Sequence, residues 1–125
     1  MKKSFTTTRL KNKEMNDGVY NLRREVMKYV YEAKALAKDL PRIDIRITDT
    51  DRGNLLGLAQ MNDKIIWIPE NSVTDEKYDL RTIVFHEILH AVYGIDHIDD
   101  CPLMKPIHTP LTKRQCEKFF VKYAS

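Results

Sequence analysis

The segment from His86 to His97, HEILHAVYGIDH, places three histidines and one glutamate within twelve positions. His86 and His90 are four residues apart, so on a helix they lie on one face and can bind one metal ion. Glu87 lies beside them and can reach a water on that metal. Gly94 permits a sharp turn after the helix, and His97 can then return as a third ligand. Three protein ligands leave one coordination position open, as in catalytic zinc sites.

The residue types in this segment predict hydrolytic chemistry. Zn²⁺ bound by three neutral imidazoles is a strong Lewis acid and lowers the pKa of a bound water to about 7. Glu87 follows the first ligand directly and can reach that water without displacing it. It would accept the proton of the water and pass it to the leaving nitrogen of a peptide bond. The pattern therefore predicts Zn²⁺ as cofactor, Glu87 as catalytic base, and three metal ligands, His86, His90 and His97.

Hydrophobic periodicity predicts three helices that can position these residues. The first runs from Asp17, as its cap, to about Asp39, has one apolar face, and is stopped by a proline. The second begins near Asp79 and carries the histidine segment. Apolar residues cover most of its circumference, which is typical of a buried central helix. The third helix is capped by Thr112 and runs to about Tyr123.

The strands are predicted mainly between the first and second helices. The segment Ile43 to Ile47 alternates apolar and polar residues and is rich in β-branched side chains. Two further strands, Leu55 to Gln60 and Lys64 to Ile68, flank a short connection that suits a tight turn. A short strand from Phe5 to Arg9 completes the set. We therefore predict an α+β fold, with a small mixed or antiparallel sheet backed by the N-terminal helix and the buried active-site helix, and with a C-terminal helix.

Composition limits the other possibilities. A chain of 125 residues, 42% of them hydrophobic, suits one catalytic domain spanning residues 1–125. The net charge of +3 gives no strong signal for a nucleic-acid partner. No apolar run approaches the length of a membrane span or forms a secretory signal. We therefore expect a cytoplasmic protein in which Cys101 and Cys116 are free thiols, with one disulfide between them as the alternative.

The histidine segment resembles the signature of the metzincin zinc peptidases, and most closely that of the matrixin branch. The family signature is HExxHxxGxxH followed by a methionine turn. In this chain HEILHAV and GIDH match the first part, and CPLMKP, residues 101–106, looks like the turn. The resemblance implies a metzincin-like fold, Met104 as the structural residue of the methionine turn, and a protein or peptide as substrate.

The same resemblance implies where a substrate would bind. It places Leu58 in the edge strand above the cleft, where the substrate backbone would add as one more strand. It places the segment from Lys105 to His108 in the wall of the pocket beyond the scissile bond. There, PIH at 106–108 is similar to the Pro-x-Tyr segment of matrixins. The candidate substrate-binding residues are therefore Leu58, Lys105 and His108.

The chain departs from the family pattern between the second histidine and the glycine. Three residues separate His90 from Gly94 where the family has two, and Tyr93 looks like the insertion. We expect it to be absorbed as one extra helical residue, with the turn shifted by one. Two alternatives for the metal stay open. Asp96 can replace the third histidine as ligand, or Cys101 can bind the metal and hold the site closed.

Two other functions stay open beside the leading prediction of a zinc-dependent endopeptidase. Bacterial endoribonucleases of the YbeY type have a similar motif, HGxxHxxGYDH, and share with this chain the pair Pro69-Glu70 at the end of the preceding strand. They have glycine in place of Glu87 and no methionine turn. The third reading is a non-catalytic interaction module stabilised by zinc, in which the glutamate is idle.

Overall fold

The structure, a computed structural model, describes residues 4–5, 13–48, 58–59, 63–75 and 77–124, without the side chains of residues 4–5, 13–20 and 58. It is an α+β protein, as predicted. No helix within these ranges has the length and apolar character needed to cross a bilayer. The elements in chain order are β1 (Ser4–Phe5), α1 (Lys13–Leu36), β2 (Asp44–Thr48), β3 (Leu58–Ala59), β4 (Ile65–Pro69), α2 (Glu70–Thr74), α3 (Leu80–Ala91) and α4 (Lys113–Tyr123).

The described strands form one mixed sheet in the order β1-β2-β4-β3. Strands β2 and β4 are parallel, whereas β1 and β3 pair antiparallel with their neighbours. On one face, Arg46 places its guanidinium over the ring of Trp67, 5.1 Å from the centroid. The predicted residues 6–9, 55–57 and 60 lie outside the described part of the chain. In β2 the alternation of buried and less buried residues is as predicted. The opposite face of the sheet is apolar and buried, and it consists of Ile45, Ile47, Ile66 and Ile68.

Helix α1 is displaced from its predicted bounds. It begins at Lys13, so Asp17 lies inside the helix and not at its cap. The earlier start follows from the good helix formers that precede Asp17. The helix ends at Leu36, before the predicted end, and the side chain of Lys34 reaches into the turn that follows. The Lys34 ammonium donates to the carbonyl of Lys38 at 3.0 Å, so a cation satisfies a backbone oxygen just beyond the helix end.

An ion pair joins α1 to α3. The Arg81 guanidinium donates two hydrogen bonds to the Glu32 carboxylate, at 2.8 and 3.1 Å. These bonds hold the pKa of Arg81 above its ordinary value. The same guanidinium lies 4.9 Å from the ring centroid of Tyr29. This contact anchors the start of the helix that carries the histidine segment.

Two other helix starts show what local sequence encodes. The short helix α2 follows β4 directly with Pro69 as its N-cap, and we did not predict it because five residues are too few for a periodic pattern. Helix α4 begins as predicted. The Thr112 hydroxyl accepts the N–H of Gln115 at 3.1 Å, and the Gln115 side chain accepts the N–H of Thr112 at 3.0 Å. This reciprocal pair is a capping box.

Helix α3 is buried in the centre of the molecule, as predicted. Nine of its twelve residues are buried, and it packs against α1, α4 and the sheet. Its Phe85 ring lies 4.9 Å, centroid to centroid, from the ring of Phe120 in α4, and both rings are fully buried. The polar residues of the histidine segment are therefore carried by a helix held on several sides by apolar contacts.

Removing the Phe120 ring is expected to destabilise the protein strongly. Because the ring is fully buried against Phe85, Phe120→Ala should lower the free energy of unfolding by about 3–5 kcal/mol. Urea unfolding followed by far-UV circular dichroism measures this change. The matched control is Val121→Ala, next in sequence but 51% exposed, which should change stability by less than about 0.5 kcal/mol. Equal effects of the two substitutions would contradict this packing.

Candidate metal centre

The structure brings together the three histidines that the sequence predicted as ligands. His86 and His90 lie one turn apart on α3, and their Nε2 atoms are 3.0 Å from each other. The ring of His97 lies 5.2 Å from that of His86 and 4.8 Å from that of His90, centroid to centroid. One nitrogen from each ring can be chosen so that all three lie within 4.8 Å of one another. This spacing allows one metal ion to be shared by the three rings.

Backbone carbonyls fix the tautomers of the two helical histidines. Nδ1 of His86 lies 2.7 Å from the carbonyl oxygen of Leu103, and Nδ1 of His90 lies 2.5 Å from that of Ile95. A carbonyl oxygen can only accept, so each Nδ1 carries the proton and each Nε2 presents a lone pair. Two lone pairs that face each other at 3.0 Å repel unless a cation lies between them. The donor set therefore fits a metal ion that prefers nitrogen ligands, such as Zn²⁺.

Burial keeps these imidazoles in the form that binds metal. It lowers the pKa of His86 to about 4, with smaller contributions from the neighbouring histidines. Burial also lowers the pKa of His90, although the Asp96 carboxylate acts in the opposite direction. Both rings are consequently neutral near pH 7, and no proton has to be displaced from Nε2 before an ion binds.

The turn after α3 contains Tyr93. The helix ends at Ala91, and residues 92 and 93 form the turn that follows. Gly94 has a φ of 65°, in the left-handed region that glycine adopts without strain. The N–H of Ile95 donates to the carbonyl of Leu89, six residues earlier, at 3.0 Å. The usual helix-ending bond spans five residues, so this turn is one residue wider than that motif.

The two alternative ligands lie elsewhere. The carboxylate of Asp96 is exposed and accepts the N–H of His97 at 2.9 Å. Cys101 is 3% exposed and belongs to the hydrophobic core. Within the described part of the chain, the group of ligand atoms consists of the three histidines. Cys101 and Cys116 are both free and buried, as expected.

Met104 lies in the loop that supports the first ligand. Its side chain is fully buried. Its N–H donates to the carbonyl of Cys101, and its own carbonyl accepts the N–H of Ile98, each at 3.0 Å. These bonds close the loop in which the neighbouring Leu103 offers its carbonyl to His86. The methionine is thus a packing residue at the point where the loop meets the helix that carries His86 and His90.

Glu87 is a buried carboxyl group beside the histidines. It is 7% exposed and lines the cleft described below. Burial raises its pKa to about 8, because a charge is poorly solvated there. A cation held by the neighbouring histidines would favour the ionised carboxylate and lower that pKa again. The group is therefore suited to gain and lose a proton near neutral pH.

A cleft of about 650 Å³ opens next to His86 and Glu87. One side is the first half of α3, and the other is the segment Pro102–Pro110, which we call the wall. Lys105 and His108, two of the predicted substrate-binding residues, lie in this wall. Leu58 lies in β3, an edge strand of the described sheet, and its side chain is outside the described part.

His108 makes a contact that the sequence did not predict. Its Nε2 accepts the N–H of Asp79 at 3.2 Å, and its ring meets that of Tyr78 edge-on with centroids 5.8 Å apart. Burial lowers the pKa of His108, although Asp79 opposes this shift. The ring is therefore neutral near pH 7, with its proton on Nδ1, because Nε2 is the acceptor. No local sequence signal identifies this pair, since its members are 29 positions apart in the chain.

The buried thiol of Cys116 predicts that the stability of the protein depends on pH. Burial raises the pKa of Cys116 from 9.0 to about 11, while a contact between its Sγ and the Thr82 hydroxyl, 3.3 Å away, acts in the opposite direction. The folded-state pKa is raised, so this contribution to stability is complete below pH 9 and is lost as the pH rises through 11. The stability of the wild type relative to Cys116→Ser should fall by about 2 kcal/mol between pH 8 and pH 11 in urea unfolding. A constant difference over this range would contradict a buried, protonated thiol.

Comparison of the whole chain with protein-family models, with curated proteins and with solved structures finds no match.

Proposed function

We propose that the protein is a zinc-dependent endopeptidase. The observation that supports this most strongly is the convergence of three imidazoles beside a buried carboxyl group at a cleft. Three nitrogen ligands leave one position of a tetrahedral ion free, as catalytic zinc requires. Hydrogen bonds from Nδ1 to a carbonyl are also typical of histidines that bind zinc through Nε2.

The roles of the chain's own groups follow from their positions. His86, His90 and His97 would hold Zn²⁺, which when bound supplies the Lewis acidity that lowers the pKa of a water. Glu87 would accept the proton of that water and donate it to the leaving nitrogen of the peptide. Burial raises the pKa of this carboxyl group and a cation held by the histidines would lower it, so the two act in opposite directions on its strength as a base.

The surroundings of the site favour a peptide chain as substrate. The wall and α3 offer apolar lining, including Ile83, Leu103 and Ile107, which suits an apolar side chain next to the scissile bond. The edge strand β3 would pair with the substrate backbone. The proposal includes the metzincin-like class of fold and a cytoplasmic location, which agrees with two unpaired thiols.

The experiment that tests the function compares substrate classes side by side. Purified protein is loaded with Zn²⁺ and incubated with an unfolded protein and, separately, with ribosomal RNA. We expect cleavage of the unfolded protein alone, its loss on chelation, and its return when zinc is restored. Cleavage of RNA alone, dependent on His86, would favour the endoribonuclease. Stabilisation by zinc without turnover of either substrate would favour the interaction module.

A further inference from the structure

Three hydrogen bonds join α3 and its N-cap to the wall and to Leu111, the residue that follows the wall. The first joins the ring of His86 to the carbonyl of Leu103. The second joins the N–H of Asp79 to Nε2 of His108. In the third, the N–H of Leu111 donates to the hydroxyl of Thr82 at 3.3 Å. Asp79 is the N-cap of α3, and Thr82 and His86 lie in the first two turns, so all three contacts are made toward the N-terminus of the helix.

The stretch between the first two of these bonds faces the cleft. It contains Pro106 and Ile107, and the Ile107 side chain is 77% exposed. Prolines at 102, 106 and 110 restrict the backbone of the whole segment. The stretch is held at both ends, so loss of the bond at His108 would leave one end free to move relative to α3. The distance between the wall and Ile83 on α3 therefore depends on the bond at His108.

We propose that His108 is a positioning residue: by accepting the N–H of Asp79 it holds the wall at a fixed distance from α3 and so sets the size of apolar side chain that the cleft admits. This inference rests on the proposed peptidase function, because it concerns the substrate of that site. His108 acts here through the position of the wall. Its Nε2 accepts the backbone N–H of Asp79 and therefore does not contact the reacting atoms.

Two variants separate the acceptor from the ring. His108→Phe keeps an aromatic ring beside Tyr78 and removes the acceptor, whereas His108→Gln removes the ring and retains an acceptor of similar reach. Amide hydrogen exchange measured by NMR reports directly on the hydrogen bond that the Asp79 N–H donates to His108. We expect exchange there to accelerate about 10-fold or more in His108→Phe, relative to Ile88 in the same helix, and to stay near wild type in His108→Gln.

Kinetics on a series of peptides measures how the substitution changes the selectivity of the cleft for side-chain size. The peptides differ only in the side chain next to the scissile bond, from alanine through leucine to phenylalanine and biphenylalanine. We expect His108→Phe to reduce the ratio of kcat/KM between the best and worst peptides about 5- to 10-fold, through KM, with kcat for the best peptide within about threefold. Zinc content should not change, and His108→Gln should restore the selectivity.

Several results would overturn the inference. For His108→Phe, these results are an unchanged rate of amide exchange at Asp79, an unchanged ratio of kcat/KM between peptides, or an equal loss of kcat on every peptide. Identical behaviour of the Phe and Gln variants would also overturn it. If the wild type cleaves no peptide, the proposed function fails by itself. In that case the selectivity of the cleft is measured by the binding of hydroxamates to the zinc-loaded protein in a calorimeter. The hydroxamates carry methyl, benzyl or biphenylmethyl groups. Selectivity for size that relaxes in His108→Phe alone supports the positioning role, and selectivity equal in all three proteins overturns it.

Discussion

Replacing Glu87 with glutamine is expected to lower kcat/KM for peptide cleavage by about 10²–10⁴-fold while zinc stays bound. The amide has nearly the same shape as the carboxyl group but cannot accept the proton of the attacking water. The three histidines are untouched, so metal binding should be retained. Steady-state kinetics with a fluorogenic peptide, together with zinc analysis of the same samples, measures both quantities. Glu87→Ala should show the same loss.

The control for this substitution is Glu117→Gln in α4, a helix that carries none of the three histidines. It removes a carboxylate elsewhere in the chain and should leave kcat/KM within about twofold of the wild type. If Glu87→Gln cleaves peptide at the wild-type rate, the carboxylate is not the base and the mechanism is wrong. If Glu117→Gln loses activity equally, the effect is not specific to the site.

Replacing His97 with alanine is expected to weaken zinc binding by more than about 10²-fold, beyond the usual effect of altering a residue that merely orients a ligand. The ring is exposed and projects from the loop after Gly94, so its removal leaves the core intact. Metal affinity is measured by competition with a chromophoric chelator at fixed pH. Zinc at 100 times its Kd stabilises the wild type by about 2.7 kcal/mol. At the same free zinc concentration, the stabilisation of the variant should be much smaller.

The neighbouring residue supplies the matched control. Asp96→Asn keeps a side-chain oxygen that can accept the N–H of His97 and removes only the charge. Its zinc affinity should stay within about 10-fold of the wild type. The opposite ranking, with Asp96→Asn losing zinc and His97→Ala retaining it, would make the aspartate the third ligand.

Local patterns predicted a large part of this molecule. The alternation of Ile43 to Ile47 predicted β2 as a half-buried strand, and the segment Lys64 to Ile68 predicted β4. Thr112 with Gln115 identified the start of α4, because a capping box depends on residues three apart. The spacing of His86 and His90 predicted two members of the histidine cluster, since helical geometry alone puts them on one face. In each case the contact that matters is made within one turn or one strand.

The features that could not be predicted depend on contacts distant in sequence. The bond between Asp79 and His108 joins residues 29 apart, and that between His86 and Leu103 joins residues 17 apart. Neither leaves a pattern in the chain. The bounds of α1 were misplaced for another reason, because helix ends are decided by small differences in propensity and by side chains such as Lys34.

The oxygens that orient His86 and His90 belong to the main chain, at Leu103 and Ile95. In many zinc sites a carboxylate does this work, and one point mutation removes it. Here, substitution of either residue leaves its carbonyl in place, so no single change of side chain deletes an oxygen that orients an imidazole. It is instead vulnerable to insertions, deletions and prolines that redirect the backbone in the loops that supply these oxygens. Changes in loop length between residues 92 and 104 should therefore impair zinc retention more than substitutions there.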